Sequence, residues 1–256
     1  MPKFFVKGEQ VNNNEVYILG EDVNHIKNVL RMKVGDTFNV CDESCSENYL
    51  VKINNFDREK IVCSIQEIIE ISCESNVKVH IYQGLPKADK MELIIQKSVE
   101  LGVDKIIPTE MKRCVVKLDG KDRIKKIDRW QKISEVAAKQ SGRDIIPEIC
   151  PLKNIKEICN DFNNYDVVLL CYENEKDTYL KDVLKCLNEE YQKQKNKNLK
   201  IAIIIGPEGG IDITEVELMK QNGAKVISLG NRILRTETVS LNLLSIIMYE
   251  FERKDL

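Results

Sequence analysis

The stretch I-A-I-I-I-G-P-E-G-G, residues 201–210, decides the architecture. Five apolar residues in a row, with no polar alternation, read as a strand buried on both faces of a sheet. The strand runs directly into Gly206, Gly209 and Gly210, and a helical pattern resumes near residue 214. A glycine loop between a strand end and a helix start is where open α/β sheets receive ligands. It is neither G-x-x-x-x-G-K-[ST] nor G-x-G-x-x-G, so it is not one of the standard phosphate cradles. Its glycines permit close backbone approach to a ligand, and Pro207 stiffens the turn while removing a donor. The same residues also suit an ordinary tight turn.

A second loop of this kind lies downstream. L-G-N-R-I-L-R-T-E-T (229–238) follows a short strand and precedes a helix. Ile233 and Leu234 sit between Arg232 and Arg235. Aliphatic residues beside a glycine can sandwich a flat ring while backbone groups bind its polar edge. Equally, they can plug a core. The next helix (237–251) carries Val239, Leu241, Leu243, Leu244, Ile246, Ile247 and Met248. It is expected to be deeply buried, in the core or against a second subunit.

Further outward, strand patterns at 77–83, 103–107, 166–171, 199–205 and 225–229 alternate with helical ones. The helices are expected at 88–101, 124–142, after 171 through 191, and 214–222. Such alternation predicts a largely parallel sheet covered on both faces. The N-terminal segment reads differently. β-leaning runs at 4–6, 15–19, 37–41, 49–53 and 60–65 are interrupted by one helix. Asp22 is placed to cap that helix, with Val23, Ile26, Val29 and Leu30 on one face. This predicts a small β-barrel module. Polar residues 72–76 separate the two patterns, and the Lys/Asn/Gln-rich run 192–200 reads as a solvated connection.

With 256 residues, 43% hydrophobic and 31% charged, the chain can build one large or two small packed domains, which excludes disorder as its main state. No apolar run approaches the roughly 18 residues of a membrane span, and no secretory signal opens the chain. Nine cysteines without a C-x-x-C pair, and without an export signal, point to reduced thiols in the cytoplasm. His25 and His80 are the only histidines, and Cys41 with Cys45 has no second pair of ligands, so no structural metal is expected.

The net charge of −2 argues against a broadly basic, nonspecific nucleic-acid binder. Residues 111–143, however, hold 11 Lys/Arg against 4 Asp/Glu, a local +7, leaving −9 for the rest. Along the 124–142 helix, Ile124, Ile127, Trp130, Ile133 and Ala137 form an apolar face. Lys125, Arg129, Lys132, Lys139 and Arg143 form a basic stripe, which Lys112, Arg113, Lys117, Lys121 and Arg123 extend upstream. The stripe is either a solvated face or a surface for phosphates.

The pair G-P-E-G-G and L-G-N-R-I-L-R-T-E-T resembles the C-terminal signature of the RsmE family, the small-subunit rRNA uridine-N3 methyltransferases of the SPOUT superfamily. Residues 84–108 (G-L-P-K-A-D-K-M-E-L-I-I-Q-K-S-V-E-L-G-V-D-K-I-I-P) resemble the family's first strand-helix-strand block. R-W-Q-K-I-S-E-V-A-A-K-Q-S-G-R (129–143) resembles its central helix, and H-I-K-N-V-L-R-M-K-V-G-D (25–36) its N-terminal barrel motif. The departures are small: Val239 stands where alanine is usual, and Ile211-Asp212 where an aromatic is common.

This resemblance implies an RNA-binding, PUA-like β-barrel at 1–73 and an α/β SPOUT methyltransferase domain at 74–256, tied in a C-terminal trefoil knot. It implies S-adenosylmethionine as methyl donor and a cytoplasmic homodimer whose active site uses both chains. The substrate implied is 16S rRNA of the small ribosomal subunit, at the uridine conventionally numbered 1498. Donor-binding positions carry over to Gly206, Pro207, Glu208, Gly209 and Gly210, and to Leu229, Gly230, Ile233, Leu234 and Arg235. The strand end from Leu170 to Glu173 is the third wall. RNA contacts are expected at Arg31, Lys117, Lys125, Arg129, Lys132 and Lys139; Arg31 also reads as an ordinary helix-end cation. Methylating N3 requires the imidate form of uracil, which fixed positive donors near O2 and O4 would stabilise. Arg113, Arg143 and Arg235 are the candidates. Glu208 or Glu237 could accept the proton, although Glu237 also suits the first turn of a helix. Two other readings stay open: a knotted methyltransferase acting on a ribose 2′-hydroxyl, and a non-catalytic rRNA-binding assembly factor.

Overall fold

Residues 2–70, 72–193 and 198–252 are described by a computed structural model, in which the chain divides into two units. One comprises residues up to Glu74 together with Ala138–Ile146; the other comprises Ser75–Ala137 and the chain from Pro147 onward.

The N-terminal unit is built on six strands: β1 (Lys3–Val6), β2 (Val11–Asn12), β3 (Glu15–Leu19), β4 (Thr37–Asp42), β5 (Glu47–Phe56) and β6 (Lys60–Ile69). Their order is β1-β4-β5-β6-β3-β2, with β1 parallel to β4 and the other neighbours antiparallel. Period-two alternation sends Phe4 and Val6, Val16 and Ile18, Phe38 and Val40, Val51 and Ile53, and Ile61 and Cys63 to one face. There they gather into a single buried cluster, so the sheet curls around its own core. Register shifts between β5 and β6, at Leu50/Val51 and Ile53/Asn55, bend the pair in the way bulges do.

The expected helix in this unit is shorter and differently capped. α1 (Glu21–Asn24) follows Gly20, which has φ +68°, and runs into a π-type turn at His25–Val29. Asp22 therefore lies inside the first turn rather than at the cap, and its carboxylate accepts Lys139 Nζ at 2.9 Å. The wider turn rotates Val29 and Leu30 outward, leaving Ile26 as the fully buried member of the expected face.

A buried polar knot explains why 138–146 belongs with this unit, which a boundary after residue 73 did not anticipate. The carboxylate of Asp144 accepts from the Lys3 ammonium, from Ser72 Oγ at 2.6 Å and from the Cys73 amide at 2.8 Å. Arg143 donates to Glu74 from Nε at 2.8 Å and from Nη2 at 2.6 Å, while Glu74 also accepts the Asp144 amide at 2.8 Å.

The second unit contains β7 (Val77–Gly84), α2 (Lys90–Glu100), β8 (Lys105–Glu110), α3 (Gly120–Ser141), β9 (Glu148–Ile149), β10 (Lys153–Asn154) and α4 (Ile155–Asp161). These are followed by β11 (Val167–Cys171), α5 (Leu180–Lys193), β12 (Leu199–Ile205), α6 (Ile213–Gln221), β13 (Lys225–Ile227) and α7 (Thr236–Phe251). The last turn of α3 packs with the first unit. The sheet runs β10-β8-β7-β12-β11-β13, with β9 also on β8, and every pair is parallel. The apolar run of β12 lies in the middle, with Ile201, Ala202, Ile203 and Ile204 wholly buried. Each isoleucine so placed contributes about 1.5–3 kcal/mol of hydrophobic stabilisation. The short β9, β10 and α4 escape the periodicity reading, although N-I-K-E (154–157) is a capping box, with Glu157 N donating to Asn154 Oδ1 at 3.1 Å. Residues 194–197 of the expected 192–200 connection lie outside the described residues.

Two helices depart from expectation. The first half of α3 buries nothing, and Ile124 is 64% exposed; burial begins at Trp130 and continues through Ser134, Ala137 and Ala138. α7 buries Val239, Leu243, Leu244, Ile247, Met248 and Phe251 but exposes Ile246 and Tyr249. His80 joins a polar chain beside the sheet: Asp104 Oδ2 at 2.9 Å from Nε2, and Tyr165 Oη at 2.8 Å from Nδ1. Tyr165 Oη also meets Tyr82 Oη at 2.7 Å, and Tyr82 donates to Asp161 at 3.0 Å. Burial would raise the Asp104 carboxyl, but the bonds from His80 and Lys78 outweigh it and hold it at about 2.

Asp144→Ala should destabilise the protein by about 3–5 kcal/mol in urea unfolding, because it leaves the buried Lys3 ammonium without its anion. Burial alone would raise the Asp144 carboxyl, but Lys3, Ser72 and the Cys73 amide together hold it below the usual range. Its contribution is therefore present above the unfolded value of about 3.9 and fades as pH falls through the lower folded value. A variant within about 1 kcal/mol of the parent at pH 7 would contradict this role.

Candidate functional site

Three chain segments meet at one hydroxyl. Gly206 follows β12, Thr236 begins α7, and Gln83 lies near the end of β7. Thr236 Oγ1 donates to the Gly206 carbonyl at 2.7 Å and accepts from Gln83 Nε2 at 2.9 Å. Both side chains are buried, and Gln83 Oε1 is an interior acceptor with no hydrogen-bond partner among the described residues. Gly84 is required beside this latch, since a Cβ there would stand 2.7 Å from the Pro207 nitrogen.

Loop 206–210 is held on both sides. Glu208 accepts the Lys87 amide at 3.0 Å and lies 3.0 Å from Lys90 Nζ. Burial pushes its carboxyl up, but the bonds from backbone amides and Lys90 prevail and leave it below the usual range. Arg113 Nη1 donates to the Gly209 carbonyl at 3.2 Å, and its Nε lies 3.9 Å from Asp212. Glu215, buried on α6, accepts the Lys112 amide at 2.9 Å and so fixes the segment that carries Arg113. Asp212 caps α6 by accepting from Thr214 N at 3.1 Å.

Loop 228–235 is anchored at its root and open at its tip. Ser228 N donates to the Thr178 carbonyl at 2.8 Å, and Ser228 O accepts Leu180 N at 3.2 Å. Gly230 has φ +101°, and nothing lies within 4 Å of where its Cβ would be. Ile233 is 87% exposed, so it does not plug the core; Leu229 and Leu234 are half-buried. Arg232 and Arg235 are exposed. An exposed aliphatic residue, an open glycine and spare polar groups suit a flat ring with a hydrogen-bonding edge. Leu170 is wholly buried in β11, so at that wall the strand end offers backbone, with half-buried Cys171 and Tyr172 beyond it.

The remaining expected residues are dispersed. Arg143 belongs to the N-terminal unit, where it pairs with Glu74, and Lys139 pairs there with Asp22. Arg31, also in that unit, is exposed with φ +54°. Lys117 lies 3.7 Å from Glu110, and Arg129 lies 2.7 Å from Glu92. Lys125 and Lys132 are exposed, on a groove between α2 and α3 floored by Leu93, Ile133 and Val136. Sequence reasoning missed Gln83, Thr236, Glu215 and Lys90. The available signals were a polar residue ending an apolar strand (Gln83) and the D-I-T-E capping pattern at 212–215 (Glu215).

Comparison with known proteins identifies the family. Residues 73–248 match a family described as RNA methyltransferase domain, and residues 18–66 match one described as RNA methyltransferase PUA domain. The chain is 34% identical over 255 residues to ribosomal RNA small subunit methyltransferase E of Bacillus subtilis, covering 98% of each. It is 35% identical to the protein of that name from Mesomycoplasma hyopneumoniae, covering 96% of this chain and 98% of the other. The crystal structure of ribosomal RNA small subunit methyltransferase E from Neisseria gonorrhoeae, bound to S-adenosylmethionine, superposes with a TM-score of 0.82 at 26% identity, covering 97% of each chain. The chain belongs to the RNA methyltransferase family, in the group of ribosomal RNA small subunit methyltransferase E.

Proposed function

We propose that the protein transfers a methyl group from S-adenosylmethionine to N3 of a uridine in 16S rRNA of the small ribosomal subunit, at the position of type 1498. The observation that carries this reading is the open space at Gly230 beside exposed Ile233, in a chain with these relatives. The residues present fit the donor. Ile233 and Leu234 would cover its adenine, backbone groups of 206–210 and 229–230 would meet the polar edges, and the orphaned Gln83 Oε1 lies at the root of the same loops. S-adenosylmethionine supplies an electrophilic methyl group when bound.

The chain's own groups do the rest. N3 of neutral uracil is a poor nucleophile, so cations must favour the imidate where its charge develops on O2 and O4. Arg113, held at the glycine loop by the Gly209 carbonyl, and Arg235, exposed at the cap of α7, would supply those cations. Arginine stays protonated and serves as a donor, so the N3 proton leaves to another acceptor, a loop carboxylate or water. Arg143 keeps the N-terminal unit folded through Glu74. Alignment of N3 with the methyl group supplies several kcal/mol more.

RNA is read across the basic stretch. Lys125 and Lys132 have no ion-pair partner among the described residues, and the exposed pairs of Lys117 and Arg129 contribute only about 0–1 kcal/mol each, so phosphates can displace their partners. Within the N-terminal unit, exposed Arg31 is a separate candidate for a phosphate, and Lys139 would have to leave Asp22 to become one. The protein would act in the cytoplasm as a homodimer; Tyr249, 90% exposed on α7, and Ile246 beside it are the apolar surface a second copy would cover. Placement of β12 between β7 and β11, with Thr236 bonded back to Gly206, supports a knotted path for α7.

Gly230→Trp should abolish S-adenosylmethionine binding in calorimetry while a folded thermal transition persists at a lowered temperature, since the indole enters open space but the backbone is strained at φ +101°; unchanged binding would sink the donor site. A Lys125→Ala/Lys132→Ala double variant should weaken small-subunit RNA binding. It should also lower the slope of log affinity against log salt by about 1.4–1.8, the loss expected for two phosphate contacts. An unchanged slope would take the stripe out of the interface.

A further inference from the structure

Lys90 opens α2 and has no role in the reaction described so far. Its Nζ lies 3.0 Å from Glu208 Oε1 and 3.5 Å from Glu237 Oε2. Glu208 belongs to loop 206–210. Glu237 is the residue after Thr236, in the first turn of α7, immediately downstream of loop 228–235. Glu237 Oε2 is buried and has no hydrogen-bond partner among the described residues, so the nearby ammonium is the cation that compensates it. Glu208 is fixed from the other side by the Lys87 amide, at 3.0 Å from Oε1 and 3.3 Å from Oε2.

We infer that Lys90 is a positioning residue for methyl transfer: through Glu208 and Glu237 it ties the first glycine loop to the exit of the second and sets their spacing. The inference rests on reading those loops as the donor site. An ordinary surface pair would not do this, because two flexible exposed groups gain little from pairing. Here one ammonium meets two carboxylates carried by different segments, and the Glu237 side chain is only 15% exposed with its Oε2 buried. Without the ammonium, two carboxylates would face a shared space with no cation between them, and like charges would push the loops apart. The arrangement also gives Glu208 a task other than proton transfer. Burial opposes its ionisation, but the amides and Lys90 prevail, so it is an anion already occupied as an acceptor. Lys90 in turn is held above its usual range, chiefly by its bond to Glu208.

The test compares Lys90→Gln and Lys90→Arg in the full chain. Amide hydrogen exchange without ligand, followed by mass spectrometry, reads the loops directly; calorimetry with S-adenosylmethionine reads their function. Lys90→Gln should speed exchange in 206–210 and 229–238 together and weaken donor binding at least tenfold, and Lys90→Arg should restore most of both. In turnover with small subunits, KM for the donor should rise more than kcat falls. Parental exchange and affinity in Lys90→Gln would overturn the inference, as would equal damage from glutamine and arginine, because charge would then be irrelevant. If Lys90→Gln does not stay folded, Glu237→Gln cuts one arm of the tie. Faster exchange in 206–210, the loop without the substitution, supports coupling, and a change confined to 229–238 refutes it. A parent protein that binds no S-adenosylmethionine would defeat the proposed function, while the exchange comparison would still decide whether Lys90 couples the loops.

Discussion

The hydroxyl of Thr236 is the point on which the site depends. It bonds the Gly206 carbonyl at 2.7 Å and the Gln83 amide at 2.9 Å, so the ends of β12 and β7 and the start of α7 share one buried junction. A buried polar group costs free energy unless it is satisfied, and here the hydroxyl satisfies both the Gly206 carbonyl and the Gln83 amide nitrogen. The two central strands cannot shift against α7 without leaving a donor or acceptor orphaned in the interior. Both glycine loops branch from this junction, which makes their backbone a rigid frame. The binding chemistry needs that rigidity, because backbone groups recognise a ligand only when their directions are set in advance.

Around that frame, charge is divided into two kinds. Some pairs are interior and fix structure: Lys3 with Asp144, Arg143 with Glu74, and the Lys112 amide with Glu215. Others are exposed and cheap to exchange, such as Arg129 with Glu92 and Lys117 with Glu110. The local +7 of residues 111–143 is therefore not one uniform surface. Its distal end, at Lys139 and Arg143, is engaged in the N-terminal unit, while Lys125 and Lys132 keep their charge available.

Much of the fold was legible because its strands are strongly patterned. β12 spans the expected 199–205 and ends where the aliphatic run does, and β3 matches its alternation residue for residue. The glycine loops were legible as loops, since only glycine tolerates the positive φ of Gly210 and Gly230 without strain. What escaped were tertiary decisions. Asp22 looked like a cap, but a π-type turn and the approach of Lys139 recast it. Ile124 fits the apolar periodicity of α3, yet it is exposed, and among the described residues none in that half of the helix is fully buried. Arg143 reads as a motif arginine, and its partner Glu74 is 69 residues away along the chain. Gln83, Glu215 and Lys90 act through contacts about a hundred residues distant or more, and periodicity carries no information on those.

Methyl transfer to small ribosomal subunits lacking the modification, with labelled S-adenosylmethionine and nucleoside identification after digestion, tests the account most directly. Label recovered as 3-methyluridine is the predicted result. Label in a 2′-O-methylated nucleoside would leave the donor site standing and overturn the target. No label and no measurable donor binding would contradict the account at its root and leave a protein that only binds rRNA.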